Sequence, residues 1–174
     1  MFVQNEAGTV ANANSYVTVD EFKAYHDMRG NAYTADNTEG DTEIEQALVR
    51  AFDYMERTYR SLFIGTKLTN TEAQTTEWPR EDAVGRDGVE YEGIPRILKE
   101  AQSEYALRAL SGDLLADTRA SGQQVLSARS VSVEGISKSE TYSGSRTQEP
   151  SYPLADLLLT PLLKGAGGTT LIRG

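Results

Sequence analysis

Cysteine is absent from the 174 residues, histidine occurs once, and Lys and Arg number 17 against 26 Asp and Glu, for a net charge of -9. Without cysteine there is no disulfide framework, thiolate zinc site, iron–sulfur cluster or cysteine nucleophile. A single histidine excludes His-rich metal sites and leaves His26 as the one candidate for imidazole chemistry. The shortage of bases weighs against non-specific binding to phosphate backbones, because that affinity comes from Lys and Arg displacing counterions. Long apolar runs are missing too. None exceeds three residues, as in Leu157-Leu158-Leu159, far below the ~20 residues a bilayer span needs. The opening residues are polar and mixed, with no basic stretch leading into an apolar one, so no secretory signal is expected.

What is present is 39% hydrophobic and 25% charged residues, the make-up of an ordinary soluble chain of about one domain. The charge is uneven: residues 1–60 carry -6, residues 61–120 carry -4, and residues 121–174 carry +1. The shift near residue 120 coincides with a change in hydrophobic period. Before it the spacing is helical. Thr18 and Glu21 form a capping-box pair, predicting a helix over about 19–29 that buries Phe22, Tyr25 and Met28 and stops at Gly30. Thr42 and Glu45 repeat that spacing. Ile44, Ala47, Leu48, Ala51, Phe52 and Met55 then draw one apolar stripe, the strongest such signal in the chain. A short helix over about 72–78 would end at Pro79, and Gly85 to Gly88 reads as a turn. Pro95 opens a longer helix carrying Ile97, Leu98, Ala101, Tyr105 and Leu110, running to about 117.

After Gly122 the period becomes two. Residues 125–133 and 136–142 read as a hairpin around Glu134-Gly135, followed by a polar loop, a short Leu-rich helix and a glycine-rich end. The expected fold is therefore mainly α, a small helical bundle with an appended β-hairpin and an extended C-terminal arm. Residues 1–120 would form the helical core and residues 121–174 the remainder of one folding unit.

The chemical candidates are few. His26 has no nucleophile partner, and the adjacent Asp27 points elsewhere on a helix, so a surface or boundary histidine is expected. Asp36, Glu39, Asp41, Glu43 and Glu45 lack the ligand spacing of a calcium loop and read as a solvated segment favouring the next helix N-terminus. Lys164 precedes its glycines, whereas a phosphate loop needs the lysine after them. Trp78 reads as an anchor over the helical core, with Arg80 stacked on it or paired to an acid. Nine tyrosines could stack on bases, but without a positive groove they read as residues of the core rim. No nucleophile–base set supports a hydrolase, and no cofactor or metal is expected.

One ordered set of motifs remains. Ser15-Tyr16-Val17 precedes the first helix, then come Trp78-Pro79-Arg80, and Ile94-Pro95 ahead of Ala101, Glu104 and Ala106. Lys138 to Gly144, Tyr152-Pro153, Asp156, Leu157-Leu158 and Pro161-Leu162-Leu163 follow. Together they resemble the head–tail connector (adaptor, or head-completion) proteins of long-tailed bacteriophages, in the branch labelled DnaT-like single-stranded-DNA-binding proteins. The resemblance implies an antiparallel helical bundle and a structural protein of the virion, made in the host cytoplasm, without enzymatic activity. About a dozen copies would form a ring below the portal protein and join the capsid to a downstream neck, stopper or tail protein. Genomic duplex would pass without tight binding, and no membrane is involved. Trp78, Pro79, Arg80 and Pro95 would be scaffold residues. Subunit and portal contacts would come from Arg129, Val131, Val133, Lys138, Glu140 and Tyr142 of the hairpin, from Leu157, Leu158 and Leu162, and from Leu171, Ile172 and Arg173 of the arm. The alternative is the literal one, a single-stranded-DNA-binding replication accessory, which needs a basic, aromatic-lined groove.

Charge also bears on assembly. A dozen copies at -9 each would repel one another in free solution, so the isolated chain is expected to be monomeric and to form a ring only on a template. Light scattering should give a mass near 19.1 kDa. A stable dodecamer would contradict the templated route.

Overall fold

A computed structural model describes residues 1–33, 40–69, 74–85, 88–115 and 152–165, with the backbone alone at 131–133 and 136–138. Four helices carry it: α1 (Val19–Asp27), α2 (Asp41–Tyr59), α3 (Arg96–Ser111) and α4 (Pro153–Leu159), the last running into a 3-10 turn at Thr160–Leu162. Two short antiparallel pairs complete it. One joins β1 (Thr66–Lys67) to β2 (Arg80–Glu81), and the other joins β3 (Val131–Val133) to β4 (Ile136–Lys138). The chain is mainly α with a β-hairpin, as the periodicity predicts. It divides into two units, Met1–Leu114 with Ser151–Gly174, and Leu115–Pro150. Helix α4, grouped with the hairpin on sequence grounds, packs within the first of these.

The Thr18 capping box forms in full: Glu21 N–H donates to the Thr18 hydroxyl at 3.1 Å, and Thr18 N–H donates to the Glu21 carboxylate at 2.8 Å. Gly30 takes φ +65° just past the helix end. Every residue of the α2 stripe, from Ile44 to Met55, is buried. The stripe packs against Leu98, Ala101 and Tyr105 of α3, and Trp78, Phe63 and Leu162 close the same core. Apolar burial of this kind is the main force holding the helices together.

Four expectations need correction. Met28 is 78% exposed at the C-cap of α1, which ends at Asp27, so it is not one of the helix's buried residues. Helix α2 begins at Asp41 behind Gly40, with no side-chain cap, so Thr42 and Glu45 do not form a box; Glu45 instead pairs with the N-terminal amine at 3.5 Å. Residues 74–78 are not helical. Their side chains take the backbone acceptors a helix would use: Gln74 donates to the carbonyls of Thr76 and Pro79, and the Thr76 hydroxyl donates to that of Trp78 at 2.5 Å. Helix α3 stops at Ser111, where Gly112 adopts an extended backbone, six residues before the expected end near 117.

Among the described residues, no helix is long and apolar enough to cross a membrane. Gly65 and Gly30 both have positive φ, but their surroundings differ. A Cβ at Gly65 would meet Glu81 O and lie 2.9 Å from Ala83 backbone, whereas one at Gly30 meets nothing within 4 Å. Gly30→Ala should therefore cost about 1–2 kcal/mol, the strain of the left-handed conformation alone. Gly65→Ala should cost clearly more, because the backbone just before β1 must move away from Glu81 and Ala83. Urea unfolding of both variants checks this, and equal losses would contradict it.

Candidate functional site

Among the described residues, polar and charged side chains gather in several places, two of which bear on function. The first is the Trp78-Pro79-Arg80 segment, whose Trp78–Pro79 peptide is cis. Trp78 is fully buried against the edge of Phe63, with ring centroids 5.9 Å apart. Arg80 is paired to an acid, as expected: Nη1 lies 2.9 Å from Glu77 Oε2, while Nε and Nη2 donate to the carbonyls of Ile64 and Gly65. Glu77 also takes Arg60 at 3.0 Å and Lys67 at 3.1 Å. Beside it, Glu56 accepts the Tyr16 hydroxyl at 2.5 Å and the Glu77 N–H at 3.0 Å. Trp78, Pro79 and Arg80 are all buried, the placement a scaffold role requires, although the Trp78 indole N–H has no hydrogen-bond partner among the described residues. Pro95, also buried, caps the start of α3.

The second place is a groove of about 440 Å³ between α1 and α3. Its floor includes Val17, Ala24 and Tyr25, and Arg29, Arg96 and Lys99 stand around it with Glu21 and Glu100, three cations against two carboxylates. The spacing of four between Tyr25 and Arg29 puts them on one face of α1's end. The Arg29 guanidinium carbon sits 3.5 Å from the centre of the Tyr25 ring. Its Nη1 donates to Tyr25 O at 3.0 Å, and Nη2 lies 3.8 Å from Glu100. Arg96 reaches the same Glu100 oxygen at 2.9 Å, and Lys99 pairs with Glu21 at 3.2 Å.

Behind this groove α1 is pinned to α3 by polar contacts. The Tyr25 hydroxyl donates to Glu104 at 2.9 Å, and Glu104 also pairs with Arg108. Burial, with Glu104 beside it, pushes the Tyr25 phenol far above its usual range, so it remains a donor. His26 is fully buried, which corrects the expected surface or boundary position. Its Nε2 lies 3.1 Å from Ser103 O and its Nδ1 3.1 Å from Asn31 Nδ2. A carbonyl can only accept, so Nε2 carries the proton and Nδ1 accepts from the Asn31 amide. Burial holds the imidazole below its ordinary pKa and favours this neutral form. His26 thus locks α1 in place.

The expected subunit contacts are placed only in part. Leu157 is 69% exposed and Leu158 half-buried, whereas Leu162 is buried in the core and unavailable to a partner. Val131, Val133 and Lys138 lie in the β3–β4 pair, with their backbone alone described. Arg129, Glu140, Tyr142, Leu171, Ile172 and Arg173 lie outside the described residues, as do Asp36 and Glu39 and the Glu134-Gly135 turn. Of the tyrosines, Tyr16 and Tyr105 are core residues rather than rim. The groove went unnoticed in the sequence, although the Tyr25/Arg29 spacing and the Arg96/Lys99 spacing on α3 both signal it.

A model of the family described as "Putative DnaT-like ssDNA binding protein" matches residues 1–174. No curated protein and no solved structure matches the chain. The family match agrees with the DnaT-like branch of the resemblance and carries no statement about a capsid, portal or tail.

Burial is the main cause that raises the Glu56 carboxyl from 4.5 to about 7. Between those values the folded chain holds a proton that the unfolded chain has released. Stability therefore falls as pH rises through that window and levels off above it. Glu56→Gln keeps an acceptor for Tyr16 and removes the titration. Urea unfolding from pH 4.5 to 7.5 should give a flatter profile for the variant; parallel profiles would contradict the assignment.

Proposed function

We propose that this chain, which belongs to the DnaT-like ssDNA binding protein family over its whole length, binds single-stranded DNA as a non-enzymatic accessory. The family match across residues 1–174 is the observation that carries the reading. The α1–α3 groove supports it, since it sets apolar floor and three cations together on a chain that is otherwise strongly acidic. The sequence ranks this function second, because its motifs resemble connector proteins and it shows no basic, aromatic-lined groove, with a basic excess of only +1 in its last third. The total charge sets the terms of binding. A net -9 opposes phosphate at long range, so contact is local and few counterions are released.

A second reading, the head–tail connector, is favoured by that same charge, since an acidic wall lets duplex slide where a basic one would hold it. The exposed Leu154 and Leu157 on α4 also offer apolar surface that a neighbouring subunit would cover. In this reading the chain is a virion protein at the head–tail junction, ringed below the portal and joined to a neck or tail protein.

Titration with a labelled oligonucleotide at about 100 mM salt separates the two readings. The proposal expects saturable binding of single strand in preference to duplex, weakening gently with salt. No single-strand binding at protein concentrations of about 100 μM, the weak limit of ordinary non-specific association, would overturn it and leave the connector reading.

A further inference from the structure

We propose that Arg29 is the platform for a DNA base, which stacks on the outer face of its guanidinium and extends the Tyr25–Arg29 pair into a three-layer stack, while a flanking phosphate takes Arg96 from Glu100. This inference rests on the single-strand-binding reading and gives it an address. Tyr25 is only 9% exposed and its ring is already covered by Arg29, so the phenol is no open platform. The guanidinium is different. It is planar, has one face on Tyr25, and belongs to a side chain 37% exposed. Guanidinium is weakly hydrated and stacks on flat π-systems, bases included.

The plane is held before any ligand arrives. Arg29 donates to Tyr25 O at 3.0 Å, and the Tyr25 ring beneath is fixed by its hydroxyl bond to the buried Glu104. Met28, 78% exposed at the C-cap of α1, lies next to Arg29 and offers a soft flank to a base edge. Arg96 is 84% exposed and bound to Glu100 through one Nε contact. Exposed pairs of that kind are weak, so a phosphate can replace the carboxylate. Lys99 stays engaged with Glu21 at 3.2 Å and Glu6 at 3.8 Å. The site therefore accepts one unpaired base and one flanking phosphate. A duplex, whose base faces are already stacked, presents nothing to Arg29.

Anisotropy titrations of oligo-dT against wild type, Arg29→Ala, Arg29→Lys, Arg96→Ala and Arg57→Ala test this. Arg57 is an exposed α2 cation paired to Asp53 at 3.3 Å, and it serves as the charge-matched control. Arg29→Ala and Arg29→Lys should both weaken binding about 5- to 100-fold, the worth of one base–side-chain stack. Arg96→Ala should make the salt slope shallower by about 0.7, and Arg57→Ala should bind as wild type. If wild type binds but Arg29→Lys binds equally well, Arg29 supplies charge and not a stacking face, and the inference falls while single-strand binding stands. If wild type binds no single strand, the functional reading itself fails and takes the inference with it.

Discussion

Four carboxylates wholly or partly withdrawn from water tie the segments of this molecule together. Burying a carboxyl group is costly unless donors reach it from several sides, and breaking a buried ion pair by removing one partner typically costs ~3–5 kcal/mol. Glu77 draws in Arg60 from the end of α2, Lys67 from β1 and Arg80 from β2. Glu56 joins the segment before α1 to the Trp78 segment through Tyr16 and the Glu77 amide. Glu104 ties α1 to α3 through Tyr25. Asp156 brings the hydroxyls of Tyr59 and Tyr105 onto α4 at 2.8 and 2.5 Å. Apolar burial gives the bundle its cohesion, and these four demands decide which segment lies against which.

The same constraint reaches the groove. Glu104 fixes the Tyr25 ring, the ring carries Arg29, and Arg29 defines the only flat cationic surface we assign to a ligand. An acidic chain can then bind an anion locally, because the local arrangement of charge differs from the total. It also follows that the acidic total is no argument against contact with DNA, only against tight and long-ranged contact. That distinction separates the single-strand reading from the connector reading more sharply than any single residue does.

Much of the helical framework was legible because helices write local periodicity. The α2 stripe and the Thr18 capping box each lie within a few residues of their own partners, and both formed as the spacing requires. What was missed depends on distant residues. His26 can be buried because the Ser103 carbonyl, 77 residues away, accepts a hydrogen bond from its Nε2. Residues 74–78 avoid the helix because their own side chains compete for backbone acceptors, which periodicity does not register. Leu162 looked like one more exposed leucine of a terminal segment, yet it fills the core beside Phe63 and Trp78. The groove needed α1 and α3 to meet before its two pairs of spaced residues could become one site.

The most direct test of the central claim is a residue-resolved NMR titration of the isotope-labelled full chain with oligo-dT. The account predicts fast-exchange shifts confined to the groove, led by the Met28 methyl, the Arg29 side-chain N–H, Arg96 and Ser103. The α2–α3 core and the outer face of α4 should stay still. No shifts at saturating oligonucleotide, or shifts centred on Leu154 and Leu157 of α4, would contradict it.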